Sequence, residues 1–175
     1  MKTAHSRWQI AGFLFTGIFG VLLHFLYDWS GQFPLIAPFS GVNESTWEHM
    51  KLLFFSMFFF TLLQKRLCQD ERQDFWCIKL FSIGLGLALI PLIFYTFNGV
   101  FGPSPDWYNI TIFYQASAVA FLLENQLFKN PPLSCKLNGC AKFILWGLAA
   151  AFIIFTWFPP RIPLFQDPIT GLYGI

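Results

Sequence analysis

The stretch Gly41-Val-Asn-Glu-Ser-Thr-Trp-Glu-His-Met-Lys51 runs directly into Leu52-Leu-Phe-Phe-Ser-Met-Phe-Phe-Phe-Thr-Leu-Leu63, and the join between them decides the fold. The first run gathers carboxylates, an imidazole, an amide, hydroxyls, an indole and an ammonium. The second is apolar except for Ser56 and Thr61. Polar chemistry this dense, followed at once by an apolar helix-length run, is what a chain shows where it enters a bilayer from the surface. Ser45-Thr-Trp-Glu48 also has the spacing of a capping box. In that arrangement the Ser45 hydroxyl accepts a first-turn amide and Glu48 reaches back.

Composition extends this reading to the whole chain. Of 175 residues, 55% are hydrophobic, 21% are aromatic and 11% are charged. A typical soluble domain carries ~25% charged residues. Mean hydropathy is +0.54. A soluble fold of this length could not bury so much apolar surface, whereas a bilayer receives it as solvent. Apolar runs at 8–27, 47–63, 75–97, 107–127 and 143–158 approach the roughly 20 residues that cross the hydrocarbon as helix. Most of them begin or end on Trp or Tyr, the rings that favour the water–lipid boundary. The expected fold is therefore all-α. It is a polytopic membrane protein with five transmembrane helices in a compact bundle, one domain over 1–175 with an extended tail at 159–175. The first run reads as an uncleaved signal-anchor, because only Tyr27-Asp28-Trp29 follows it and no small-residue cleavage site does. The expected location is multi-pass in the cell (inner or plasma) membrane, with the lipid bilayer as partner and no nucleic acid.

Charge placement sets the orientation. Lys2 and Arg7 precede the first run, and Lys65, Arg66, Arg72 and Lys79 lie between the second and third. Lys129, Lys136 and Lys142 lie between the fourth and fifth, which leaves Lys51 and Arg161 of the 11 basic residues for the other side. The positive-inside rule then puts the N-terminus in the cytoplasm and the C-terminus outside. Cys68, Cys77, Cys135 and Cys140 fall on the basic side, where reduced thiols are expected. Their spacings match no zinc motif. Pro91 is expected to kink the third helix or end it early. Glu124 reads as an interfacial residue where the fourth helix leaves the lipid.

This topology collects polar side chains on the outer side. His24 and Asp28 close the first run, and Asn43, Glu44, Glu48 and His49 open the second. Asn98, Asp106 and Asn109 flank the third loop, and Arg161, Asp167 and Tyr173 lie in the tail. Helices joined by a short outer loop run antiparallel, so His24 and His49 are expected at similar depth. Imidazoles and carboxylates are ligands suited to zinc or iron, which makes His24, Glu48 and His49 the candidate ligands for a divalent metal. Glu48 or His49 is the candidate catalytic base. Asn43, Glu44, Asp106, Arg161, Asp167 and Tyr173 are candidate ligand-binding residues for a small molecule or lipid. Each has a bland alternative: Glu48 as helix cap, each His as an interfacial side chain on a carbonyl or water, and Lys51 as a snorkelling partner of Glu48.

Val42-Asn-Glu-Ser-Thr-Trp-Glu-His-Met-Lys51, Tyr95-Thr-Phe-Asn-Gly-Val-Phe-Gly102 and Asp167-Pro-Ile-Thr-Gly-Leu-Tyr-Gly174 resemble an uncharacterised family of small multi-span bacterial integral membrane proteins. Its marks are an NESxWEHxK motif and a C-terminal DPxTGxYG motif. The resemblance implies a multi-span membrane protein and carries no activity with it. Three functions fit these residues. The first is an outward-facing His/Glu/Asp site that binds a ligand or metal. The second is a membrane-embedded metal-assisted or acid–base hydrolase acting on a lipid or envelope substrate. The third is a structural subunit of a membrane complex. The middles of the runs hold few polar groups, which disfavours a continuous transport path.

Overall fold

Each apolar run folds as a helix, which pairs every backbone N–H and C=O within the segment itself. The computed structural model describes residues 2–68, 74–130 and 138–175, with side chains from Arg7 onward. Arg72, Cys135 and Lys136 lie outside the described residues. The helices are α1 (Lys2–Trp29), α2 (Thr46–Cys68), α3 (Phe75–Phe101), α4 (Asp106–Lys129) and α5 (Asn138–Trp157), followed by a 3-10 turn at Pro163–Phe165. Among the described residues there is no strand, only an isolated antiparallel bridge between Gln166 and Tyr173. α3 runs on through Pro91 to Phe101 instead of ending there.

The helices differ in what they present to their surroundings. Three are long and apolar enough to cross a membrane: α1 over Arg7–Trp29, α3 and α5. The expectation of five such spans is corrected on this point, for a physical reason. α2 carries Glu48, Lys51 and Gln64, and α4 carries Glu124; all four are buried inside the bundle. Their polar side chains lower the hydropathy of the two helices but face protein.

α2 is the axis of the bundle. It packs against each of the other four helices and against the 3-10 turn. Every residue from Lys51 to Phe58 is buried, as expected of a helix that is apolar all round. Aromatic rings fill the layer around it: Phe54 stacks on Phe58 and meets Phe152 of α5, while Phe60 meets Trp8, Phe15 and Phe121. α1 and α4 approach closely because α1 offers glycines. A Cβ on Gly12 would lie 2.5 Å from the Phe121 ring and 2.6 Å from the Phe60 ring.

The α1–α2 connection folds back onto the end of α1. Ser40 inserts its hydroxyl into the α1 ladder, donating to the Leu23 carbonyl and accepting the Tyr27 N–H at 2.9 Å. Gly41 N–H also bonds Leu23 O, at 3.2 Å. The tail is less extended than its prolines suggest. The 3-10 turn sets Phe165 against Trp47, which also meets Phe152 and Phe155.

Cys77 is buried and disulfide-bonded, contrary to the expected reduced thiol. Cys140 is an exposed thiol.

Replacing Gly12 with Leu drives a side chain into the Phe121 and Phe60 rings. Unfolding of the variant in detergent is expected to show a loss of about 1–3 kcal/mol relative to the parent, despite the better helix propensity of Leu.

Candidate functional site

The site begins at the buried ammonium of Lys51, which is 0% exposed. Its Nζ lies 2.5 Å from Glu48 Oε2, 2.9 Å from Ala37 O and 3.0 Å from Thr156 Oγ1. An ammonium has three protons, and here each has an acceptor. The acceptors come from α2, from the connection before it and from α5, so one charge pins three segments. Lys51 does pair with Glu48, as its spacing suggested. It does not snorkel outward, because the Ala37 segment and the end of α5 cover it.

The capping box forms in half. Ser45 Oγ accepts the Glu48 N–H at 3.3 Å, yet Glu48 reaches Val42 N–H at 3.0 Å, beyond the cap residue itself. Asn43 Oδ1 takes the Ser45 N–H at 2.9 Å. With Glu48 committed to Lys51 and Val42, its neighbour Glu44 faces the histidines. His24 Nε2 lies 3.6 Å from Glu44 Oε1, and His49 Nε2 lies 3.5 Å from Glu44 Oε2. The imidazole rings are 5.8 Å apart between centroids, so the two histidines do share a depth. His49 Nδ1 sits 3.0 Å from Ser45 O. A carbonyl only accepts, so Nδ1 donates to Ser45 and Nε2 is the nitrogen that faces the Glu44 carboxylate.

These three side chains line a cleft of about 860 Å3. α1, α3 and α4 form its walls, with Phe25, Phe94, Phe113 and Tyr114 among the lining residues. Asn98, Asp106 and Asn109 line it too, and Pro168 and Ile169 of the tail border it. The α3–α4 loop is held by Asn98 Oδ1 accepting the Ser104 N–H at 2.6 Å and by Ser104 Oγ donating to Asn109 Oδ1 at 2.7 Å. Among the described residues that line the cleft, Glu44 and Asp106 are acids and none is a lysine or arginine.

The remaining candidates lie outside the lining of this cleft. Asn43 donates its side-chain amide to Gly174 O at 3.0 Å, closing the tail onto the motif. Asp167 is buried and caps its own turn, accepting from Ile169 N–H at 2.9 Å and from the Thr170 hydroxyl at 2.7 Å. Tyr173 makes the bridge to Gln166, and Arg161 is exposed away from the cleft. His24, Glu48 and His49 do not meet as a set; Glu44 takes the place given to Glu48. Among the described residues, no group of three His, Cys, Asp or Glu side chains stands ready in metal-binding geometry.

Sequence reasoning missed a second buried ion pair at the opposite end of the bundle. Lys79 Nζ lies 2.5 Å from Glu124 Oε1 and 2.6 Å from Gln64 Oε1, inside rings of Phe60, Phe75 and Phe128. Glu124 is therefore an interior residue, not an interfacial marker, and is 0% exposed. The available signal was its depth. Lys79 and Glu124 each sit about one turn inside the end of neighbouring antiparallel helices.

Removing one partner of a buried ion pair leaves the other charge stranded. Lys51→Ala is expected to cost about 3–5 kcal/mol in equilibrium unfolding, while the apolar pair Glu48→Leu with Lys51→Met recovers most of it. Equal losses in both variants would show that the charges themselves are needed.

No curated protein and no solved structure matches this chain. A model of a family of unknown function, DUF6512, matches residues 1–175, and the chain belongs to that family.

Proposed function

We propose that this is an integral membrane protein that binds a cation-bearing ligand in an outward-facing cleft, at Glu44 between His24 and His49. All five helices cross the bilayer in this reading, with α2 and α4 shielded by α1, α3 and α5. Lysine and arginine placement puts the N-terminus in the cytoplasm and the cleft at the outer side of the cell membrane.

One observation carries the binding proposal. His49 spends its Nδ1 proton on the Ser45 carbonyl, so its Nε2 is left facing a Glu44 oxygen at 3.5 Å. Two acceptors facing each other need a positive species between them, either a proton or a cation. Asp106 adds negative charge to the same cleft, and no lysine or arginine lines it among the described residues. A hydrolase remains the second reading, favoured by the orientation of His49. Its Ser45 anchor leaves Nε2 directed into the cleft as a base.

Zinc is a suitable probe of such a site, because imidazole and carboxylate are its ordinary ligands. Titration into the purified protein in detergent is expected to show one saturable equivalent. His49→Ala and Glu44→Ala are expected to abolish binding, and Asp167→Ala to leave it. A parent protein that takes up no zinc, or a His49→Ala variant that binds as well, contradicts the site.

A further inference from the structure

We infer that the ligand is a single-chain amphiphile with an amine headgroup, taken laterally from the outer leaflet. This rests on the reading of the cleft as a cation site and adds the class of molecule. Three observations carry it.

The first is size. A bare metal ion or a small ammonium fills a small part of about 860 Å3. That volume lies within the ~300–1,000 Å3 of pockets that bury organic ligands. The second is the mixed lining. The side chains of His24, Glu44 and His49 line the cleft together with aromatic rings such as Phe94 and Phe113. A molecule with a charged head and an apolar tail matches both parts, and a uniformly polar one leaves the rings against water. The third is where the cleft opens. Val21 of α1 and Ile110 and Tyr114 of α4 line it and are exposed, Ile110 at 59%. α1 is long and apolar enough to cross the membrane, so these lips face acyl chains and give a tail a path that avoids water. Charge then selects the head. Glu44 and Asp106 attract an ammonium and repel a carboxylate or phosphate.

The test uses the full-length protein in phosphatidylcholine nanodiscs, with dodecylamine, dodecanol and laurate as matched probes. Dodecylamine well above its Kd is expected to raise the unfolding temperature by about 5 °C, with dodecanol and laurate each giving under a third of that shift. Glu44→Gln with Asp106→Asn is expected to remove the difference between the three. Equal shifts from all three probes in the parent protein, or an undiminished amine preference in the double variant, overturn the inference. Zinc titration of the same preparation separates the two levels. Zinc uptake without an amine response defeats the amphiphile and leaves the cation site, whereas absence of zinc uptake defeats the site and the amphiphile with it.

Discussion

A fully coordinated ammonium inside an apolar bundle is the constraint on which the outer half of this protein depends. Lys51 is surrounded by protein, so it must find an acceptor for each proton or pay the cost of burial uncompensated. The acceptors it finds are Glu48, the Ala37 carbonyl and Thr156. These fix the α1–α2 connection and the end of α5 against the start of α2. With the connection held there, Ser40 enters the α1 ladder at Leu23 and brings Gly41 against His24. Glu44 follows three residues later, between two imidazoles. Geometry at the cleft is thus a consequence of charge burial a short distance away.

Two acidic residues four positions apart in one motif consequently have different work. Glu48 is buried and neutralised by Lys51, and it stabilises the start of α2. Glu44 is half-exposed at the cleft, between two imidazoles and, among the described residues, with no lysine or arginine against it. The opposite end of the bundle repeats the first arrangement with Lys79, Glu124 and Gln64, which tie α3, α4 and α2 together. Buried ion pairs at both ends fix which helix faces which, a specification that apolar contact between Phe-rich surfaces cannot provide alone. In a bundle with so many interchangeable rings, that specificity has value.

Much of the fold was legible in the sequence, because helix length and hydropathy are local properties. The five helices coincide with the five apolar runs, and the shared depth of His24 and His49 follows from antiparallel neighbours. The choice between Glu44 and Glu48 was not legible. It depends on Ala37 and Thr156, distant in sequence, which draw Lys51 and with it Glu48 inward. The turn that Asp167 caps and the bridge from Tyr173 to Gln166 were not legible either, because polar residues in a tail carry no sign of what they contact. The pairing of Lys79 with Glu124 was signalled only by their matching depth, and the α3–α4 register is what brings them together. The Cys77 disulfide shows the limit of inferring redox state from an inferred sidedness.

The buried Lys51 holds Glu44 beside the histidine on α1. Disulfide formation between cysteines placed at His24 and Glu44 tests it, with the cross-link mapped by mass spectrometry after mild oxidation in membranes. With Lys51 intact the account predicts rapid cross-linking of His24→Cys with Glu44→Cys, and slow, incomplete cross-linking once Lys51→Ala is added. Absence of the cross-link with Lys51 present, or an unchanged rate without it, would contradict the account.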